Sequence, residues 1–569
     1  MKGWWRSLAV APEPLTRAQR WAVVALTLVT AITRWLALSR TLWDWDEALF
    51  SLALRHYDVA AHHPHPPGFP LYIATAKVFQ LFLSDFHALQ AVSFLAAVAI
   101  VPAMFLLGRE LRAGFRVSLL GAALLAFFPN VWFYGGMALS DVPSMTLVVL
   151  AVALLLRSCR SDAALWGAAI AAAFAAGYRP QNLAIVLAPA LIAAPHVLRR
   201  SVLRALAAVV CGFAIIVASY GIAVQSSGGW TRYHERLREH QSYITHTDSF
   251  RAPGRPPLWR LVDNFFIWPY HYAPINIPVA ALVLVSGVVT LVRRRAPQLA
   301  LLAAFGPFCA LAILLLDRFS VSRFSVGYAP LIALFAADGA ELLFRRWSSA
   351  VAAVLIAMMA FWTLPSLREV HEHASPPFRA MHSIPAKGTV YVDDAMTVFA
   401  DLYLPKERVV KDAPLAVWRD GDTAWFVAEA PGAFHRERAA LWDLARQRYF
   451  DARITPLPRV AFGDGWYDEE GGAWRWMRSR SVMTLPPGGG RLSIWLYAPL
   501  DALPTPPTIT VRLDGRIVDQ FQPGVAEFLR TYETNGAREL VMETTGAIRT
   551  GDTRELGLKL NRLELSLSS

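Results

Sequence analysis

The 569-residue sequence reads as an α-helical polytopic membrane protein of about eleven spans, followed by a C-terminal region of α/β and β-sandwich texture. Three observations predict this. Hydrophobic residues make up 55% of the chain, charged residues only 17%, and mean hydropathy is +0.36, too apolar for an ordinary water-soluble protein. The apolar runs are concentrated in residues 20–366. Beyond them, short alternating runs separated by Pro and Gly read as strands and turns. The expected division is a membrane domain over 1–366, an extracytoplasmic α/β region over 367–460 and an extracytoplasmic β-sandwich over 461–569.

A spanning helix needs about 20 mostly apolar residues. Candidates are 20–39, 88–108, 118–136, 143–157, 163–178, 181–197, 203–225, 275–292, 298–316, 324–343 and 348–366. Lys2, Arg6, Arg17 and Arg20 before the first run imitate a secretory signal, but Arg34 and Trp35 interrupt it and no small-residue cleavage site follows. It is read as an uncleaved helix. With the N-terminus in the cytoplasm, the inner connections hold Arg109, Arg112 and Arg116; Arg157 and Arg160; Arg199, Arg200 and Arg204; Arg293, Arg294 and Arg295; and Arg345 and Arg346. Every one is basic, as orientation by positive charge requires. The net charge of +12 is thereby assigned to the membrane, and no nucleic-acid partner is expected. An odd count places the C-terminal region outside the plasma (inner) membrane.

Residues 40–87 then lie outside. Gly68–Leu83 resembles a span, but a crossing there would invert the charge pattern, and the stretch is short and carries Lys77. A helix at the outer interface is expected. A second large outer loop, 226–274, is rich in aromatics, His and Pro. A smaller loop surrounds Asp141, and short turns hold Arg179 and Asp317–Arg323. In the C-terminal region, Thr389–Val392 with Ala395–Leu404, and Ala424–Ala428 with Ala433–Tyr449, read as strand-then-helix units. Leu492–Tyr497 and Thr508–Leu513 read as strands, the second closed by the hairpin dipeptide Asp514-Gly515. Cys159, Cys211 and Cys309 all belong to the apolar part, which excludes a disulfide framework outside. No phosphate-binding glycine loop, dinucleotide fingerprint or hydrolase elbow is present.

The candidate chemistry gathers on one side. Trp43-Asp44-Trp45-Asp46-Glu47 puts three carboxylates at the mouth of the first span, where burial in hydrocarbon costs a few kcal/mol or more each. His65-Pro66-Pro67-Gly68-Phe69-Pro70-Leu71-Tyr72 follows in the same loop, and Leu139-Ser140-Asp141-Val142-Pro143 opens a later span. This combination resembles the GT-C superfamily of polytopic glycosyltransferases, in particular bacterial relatives of protein O-mannosyltransferases and of the lipid A aminoarabinose transferase. The resemblance covers roughly 20–366. It implies a sugar donor linked to polyprenyl phosphate, transfer with inversion on the outer face, and a glycan, lipid or protein acceptor. It implies Asp46 as catalytic base, with Glu47 its competitor, and Asp141 as the second acid. It implies Arg179 and Arg323 as the basic residues of the site, with Phe324 where Tyr is commoner; Arg318, in the same outer turn as Arg323, is a further candidate for the donor phosphate and, like them, can instead snorkel to headgroups.

Each residue also has a plainer reading. Asp46 can cap a helix starting at Glu47, and Asp141 can cap the helix it opens. Arg179, in Tyr178-Arg179-Pro180-Gln181-Asn182, can snorkel to headgroups. Imidazoles from both outer loops, His65 and His240 among them, are candidate ligands for a divalent metal, although no compact ligand spacing exists. Two other functions compete: a lipid-linked sugar flippase, for which paired broken helices at mid-membrane are the expected mark, and a membrane-anchored carbohydrate-binding protein.

Overall fold

The computed structural model describes residues 2–249, 257, 259, 272–315, 321–386, 388–411, 424–429, 452–456, 460–470, 474–486, 490–549 and 553–567. The chain divides into two compact units, Met1–Arg379 with Pro431–Asp451, and Ala380–Ala430 with Ala452–Ser569.

The first unit is a helical bundle. Its helices are α1 Lys2–Ser7, α2 Arg17–Trp35, α3 Trp45–Arg55, α4 Pro70–Gln80, α5 Asp85–Glu110, α6 Phe115–Phe127, α7 Pro129–Tyr134, α8 Asp141–Arg157, α9 Asp162–Tyr178, α10 Leu183–Arg200, α11 Val202–Ser226 and α12 Trp230–Tyr243. Further along come α13 Ala273–Arg293, α14 Ala296–Leu315, α15 Ala329–Phe344 and α16 Ser348–Glu372. All eleven apolar segments fall on helices. Among the described residues, Asp85–Glu110, Pro180–Arg200, Val202–Ser226, Ala273–Arg293 and the stretch Ser325–Ser383 are long and apolar enough to cross a membrane. The chain is a multi-pass membrane protein.

The segment 118–136 differs from expectation, being two helices instead of one. Pro129 disfavours helical backbone in the residue before it, and Phe128 adopts ψ 133. The break leaves carbonyls of α6 without helical partners. Arg34, fully buried in α2, covers it: its guanidinium donates to the Ala126 carbonyl and lies 5.2 Å and 5.1 Å from the Phe127 and Trp132 rings. A charge inside an apolar helix is thus held by a carbonyl and two aromatic faces.

One helix, α12, lies in a stretch read only as outer loop, and α3 starts at Trp45, two residues before the helix start at Glu47 that the capping reading of Asp46 offered. The expected interfacial helix is α4, whose 11 residues extend about 16 Å, too short for a bilayer. It starts after Gly68, at φ +104, where a Cβ would come within 2.6 Å of Val59 Cγ2 and 2.8 Å of the Tyr57 hydroxyl. Tyr233 of α12 donates to the Pro67 carbonyl at 3.0 Å, and the Val59 amide donates to Ser227 Oγ at 3.1 Å. The second large loop therefore braces the first.

The second unit begins with a sheet of order β2-β1-β3-β4, formed by β1 Thr389–Val392, β2 Val409–Val410, β3 Ala424–Glu429 and β4 Ala452–Pro456. β1 runs parallel to β2 and β3, and a helix, Thr397–Tyr403, follows β1. The expected helix at Ala433–Tyr449 lies outside the described residues. A two-sheet sandwich follows. One sheet has order β10-β9-β12-β7-β5, from β5 Ala461–Phe462, β7 Arg480–Thr484, β9 Ile509–Leu513, β10 Arg516–Phe521 and β12 Glu539–Thr544. The other has order β11-β8-β15-β6, from β6 Arg475–Trp476, β8 Gly490–Tyr497, β11 Glu527–Glu533 and β15 Lys559–Leu567, and β13 Ile548–Arg549 pairs with β14 Glu555–Leu556 in a ribbon of its own. Leu492, Ile494 and Leu496 on one sheet and Ile509, Val511, Leu540 and Met542 on the other share the core. The β9–β10 turn is Asp514-Gly515, both at positive φ, as a two-residue hairpin requires.

Candidate active site

The site is built from four chain segments. In the first, Asp44 caps α3: its side chain accepts from the Asp46 amide at 2.8 Å. Glu47 closes a capping box, accepting from the Asp44 amide at 2.9 Å and the Trp43 amide at 2.6 Å. The cap is therefore Asp44, not Asp46, and the side chain of Asp46 is left for other partners. The second oxygen of Glu47 accepts from the Ala138 amide at 2.7 Å. Glu47 thus ties the first loop to the turn before α8. Its full burial pushes its carboxyl up to about 7, against the pull of its amide donors.

Asp141 is the first residue of α8, and the cap position is Ser140. Its carboxylate faces two arginines. Arg179 Nη2 lies 2.9 Å from Oδ1, and Arg323 Nε lies 3.1 Å from Oδ2. The capping reading of Asp141 is overturned by this geometry. Arg179 thus has a protein partner, which snorkelling to headgroups does not call for. Arg179 follows α9 in extended backbone just before Pro180. Its Nε and Nη2 donate to Ser140 Oγ at 3.2 and 3.1 Å, and its guanidinium lies 5.7 Å from the Phe69 ring.

Arg323 joins everything. Its Nη2 donates to Asp46 Oδ2 at 2.6 Å, its Nη1 to Asp44 Oδ1 at 3.3 Å, and its Nε to Asp141. Only 5% of the side chain is exposed. Burial alone would make the guanidinium less basic, but Asp141, Asp46 and Asp44 outweigh it and hold it well above its ordinary range. Phe324, beside it, offers a ring 5.9 Å from the Arg323 guanidinium and no hydroxyl. Arg318 lies outside the described residues.

His65 completes the rim. Its Nδ1 stands 3.6 Å from Asp46 Oδ1, and its ring centroid is 5.5 Å from that of His240 on α12. Burial depresses His65 to about 4, more than Asp46 raises it, so at neutral pH this is a polar approach and not an ion pair. Burial also lowers His240. Two imidazoles therefore meet as the metal expectation requires, but among the described residues no group of three or more His, Cys, Asp or Glu is arranged to hold an ion.

No family model matches this chain, and no curated protein matches it in sequence. Its structure is similar to ArnT from Cupriavidus metallidurans bound to undecaprenyl phosphate, with 14% identity, 72% of this chain and 93% of that chain covered, and a TM-score of 0.48. It is also similar to the arabinofuranosyltransferase AftD from Mycobacteria, with 12% identity, 98% and 59% of the two chains covered, and a TM-score of 0.41. The S. cerevisiae protein O-mannosyltransferase Pmt1–Pmt2 complex bound to its sugar donor gives 16% identity, 41% and 36% coverage, and a TM-score of 0.29.

Two members of the site were quoted in the sequence reading but given no role. Asp44 was visible as the first residue of an Asp-x-x-Glu capping box, a pattern that points to a helix start and says nothing of an arginine 279 residues away. Ser140 adjoins Asp141, and nothing in the sequence marks its contact with Arg179.

Proposed function

We propose that the chain is a membrane glycosyltransferase that moves a sugar from a polyprenyl-phosphate donor to an acceptor hydroxyl on the extracytoplasmic face, inverting the anomeric carbon. The observation that carries this reading is the convergence of Asp46, Asp44 and Asp141 on Arg323, with Arg179 on the far side of Asp141. Three carboxylates face two guanidiniums, so the cluster keeps a surplus of carboxylate beside two planar cationic forks suited to phosphate.

In the proposed reaction, a carboxylate oxygen of Asp46 takes the proton of the acceptor hydroxyl. The acceptor oxygen bonds to the anomeric carbon from the face opposite the phosphate. The carbon–oxygen bond to phosphate breaks, and its electron pair leaves on the phosphate. Phosphate leaves without protonation, so no second carboxylate need act as an acid. Arg179 meets the developing charge. Arg323 has a second task. Its shortest bond is to Asp46, and an arriving phosphate competes for the same N–H groups. Its shift toward phosphate frees Asp46 as the donor arrives. Glu47, committed to three backbone amides, positions Asp46 and does not replace it as base.

Full-length protein in lipid nanodiscs, given a panel of polyprenyl-phosphate sugars and glycan, lipid and protein acceptors, tests this by mass spectrometry. A donor-dependent gain of one sugar on an acceptor is expected. Intact donors with every acceptor would contradict the reading. Cysteine labelling tests the orientation: positions near Asp46 and Gly463 should react from outside, and Arg112 and Arg294 positions only from inside.

A further inference from the structure

Phe69 stands where a bulky residue is rarely found. Its backbone is left-handed, at φ 47 and ψ 46, just before Pro70, and its ring is buried. Residues with a Cβ avoid this region, and a proline disfavours helical backbone in the residue ahead of it. The conformation persists because its surroundings fix it. The Pro67 carbonyl accepts from the Tyr233 hydroxyl at 3.0 Å, the Gly68 carbonyl from the Tyr57 hydroxyl at 2.9 Å, and the Phe69 carbonyl from the Ile73 amide at 3.1 Å. Strain of this kind gathers where a side chain has a task that ordinary backbone would not serve.

The ring packs in T-shaped contact with Phe50 and His65, at centroid separations of 5.1 and 4.9 Å, and the Arg179 guanidinium carbon lies 5.7 Å from its centre. Elsewhere that guanidinium is held along one edge. Nε and Nη2 donate to Ser140 Oγ, and Nη2 meets Asp141 Oδ1. Of its three nitrogens, Nη1 makes no hydrogen bond among the described residues, and 15% of the side chain is exposed. One edge is thus anchored, a ring braces the group, and one nitrogen is left for a ligand. A cation beside an aromatic face is held by charge–quadrupole attraction, which is strongest where water is excluded. Without the ring, the guanidinium keeps its anchor at Nε and Nη2 and is free to tilt about it. We infer that Phe69 is a positioning residue for the donor: its ring sets the tilt of the Arg179 guanidinium so that Nη1 meets the donor phosphate. This role rests on the glycosyl transfer proposed above, and it needs no contact between Phe69 and the donor.

The test replaces Phe69 by monofluorinated and then trifluorinated phenylalanine in full-length protein held in phosphatidylcholine nanodiscs. Fluorine nearly keeps the shape of the ring while draining negative charge from its face. The probes are geranylgeranyl phosphate and, as a control without phosphate, geranylgeraniol. Affinity for the phosphate should fall in steps, by about tenfold for the trifluorinated ring, while affinity for the alcohol stays level. Phe69→Leu, which keeps an apolar side chain and loses the ring, should weaken phosphate binding at least as much. In Arg179→Gln, fluorination should have no further effect, because the ring acts through that arginine. Phosphate affinity indifferent to fluorination, or a fluorine effect of the same size in Arg179→Gln, would overturn the role of Phe69 and leave the proposed reaction standing. Failure of the unmodified protein to prefer the phosphate over the alcohol would overturn the phosphate site itself, and the role of Phe69 with it.

Discussion

Two arginine–aspartate clusters in the helical unit are built on opposite plans. Asp338, on α15, receives both Nη atoms of Arg295 at 2.6 and 2.7 Å, with Ser286 Oγ at 2.7 Å and Gln298 Nε2 at 3.4 Å. One charge meets one charge, and each carboxylate oxygen has its donors. At the other cluster, Arg323 is divided among Asp44, Asp46 and Asp141, and the carboxylates outnumber the guanidiniums. A balanced pair has nothing left to offer a ligand, and it serves as a staple between helices. An unbalanced one holds its members under competition, so that under the proposed function an arriving phosphate would change who is bonded to whom. The lesson is that burial of ion pairs does not mark a site; imbalance among them does.

This contrast can be broken in several ways. The largest effect is expected for Arg323→Ala, which leaves three carboxylates crowded together with one remaining arginine. Transfer should fall below detection, and unfolding stability should drop by about 3–5 kcal/mol, the cost of removing one partner from a buried charge cluster. Activity and denaturation assays on the same preparation check both. Arg295→Ala should cost a similar amount of stability by the same mechanism while leaving turnover per folded molecule near normal; a selective loss of turnover would erase the distinction between the clusters. Arg179→Lys should weaken donor binding about tenfold at unchanged fold, since an ammonium cannot reproduce the planar fork. Full donor affinity in that variant would return Arg179 to a headgroup contact.

The smallest effect concerns His65. Its folded value, about 4, lies below its usual 6.5, so as pH falls through that window the unfolded chain takes up a proton that the folded chain refuses. Stability from this residue is present above pH 6.5 and is lost toward pH 4. His65→Gln should flatten the pH dependence of unfolding in that window; an unchanged slope would show that His65 is not buried as a neutral ring.

Much of this was legible in the sequence, and the reasons are local. Apolar runs became helices because backbone groups in hydrocarbon must bond internally. Asp514-Gly515 became a hairpin because both residues tolerate positive φ. Asp46, Asp141, Arg179 and Arg323 could be named one at a time because each is a charge at the edge of an apolar run. Their arrangement could not. Arg323 reaches Asp46 across 277 residues, and no local pattern encodes that contact. Helix α12 was hidden for a different reason. Its charges mask an amphipathic helix inside a loop-like composition. Phe128-Pro129 was a readable helix break, passed over because the apolar run continues through it.

The most direct measurement is single-turnover transfer by Asp46→Asn beside Asp338→Asn, at matched membrane expression and saturating donor. Asparagine keeps the size of each carboxylate and removes its basicity. The expected result is a fall of about 10²–10⁴-fold for Asp46→Asn with donor affinity retained, and a rate per folded molecule near wild type for Asp338→Asn. Near-normal turnover in Asp46→Asn, or an equal loss in both variants, would contradict the assignment of the unbalanced cluster as the reaction centre.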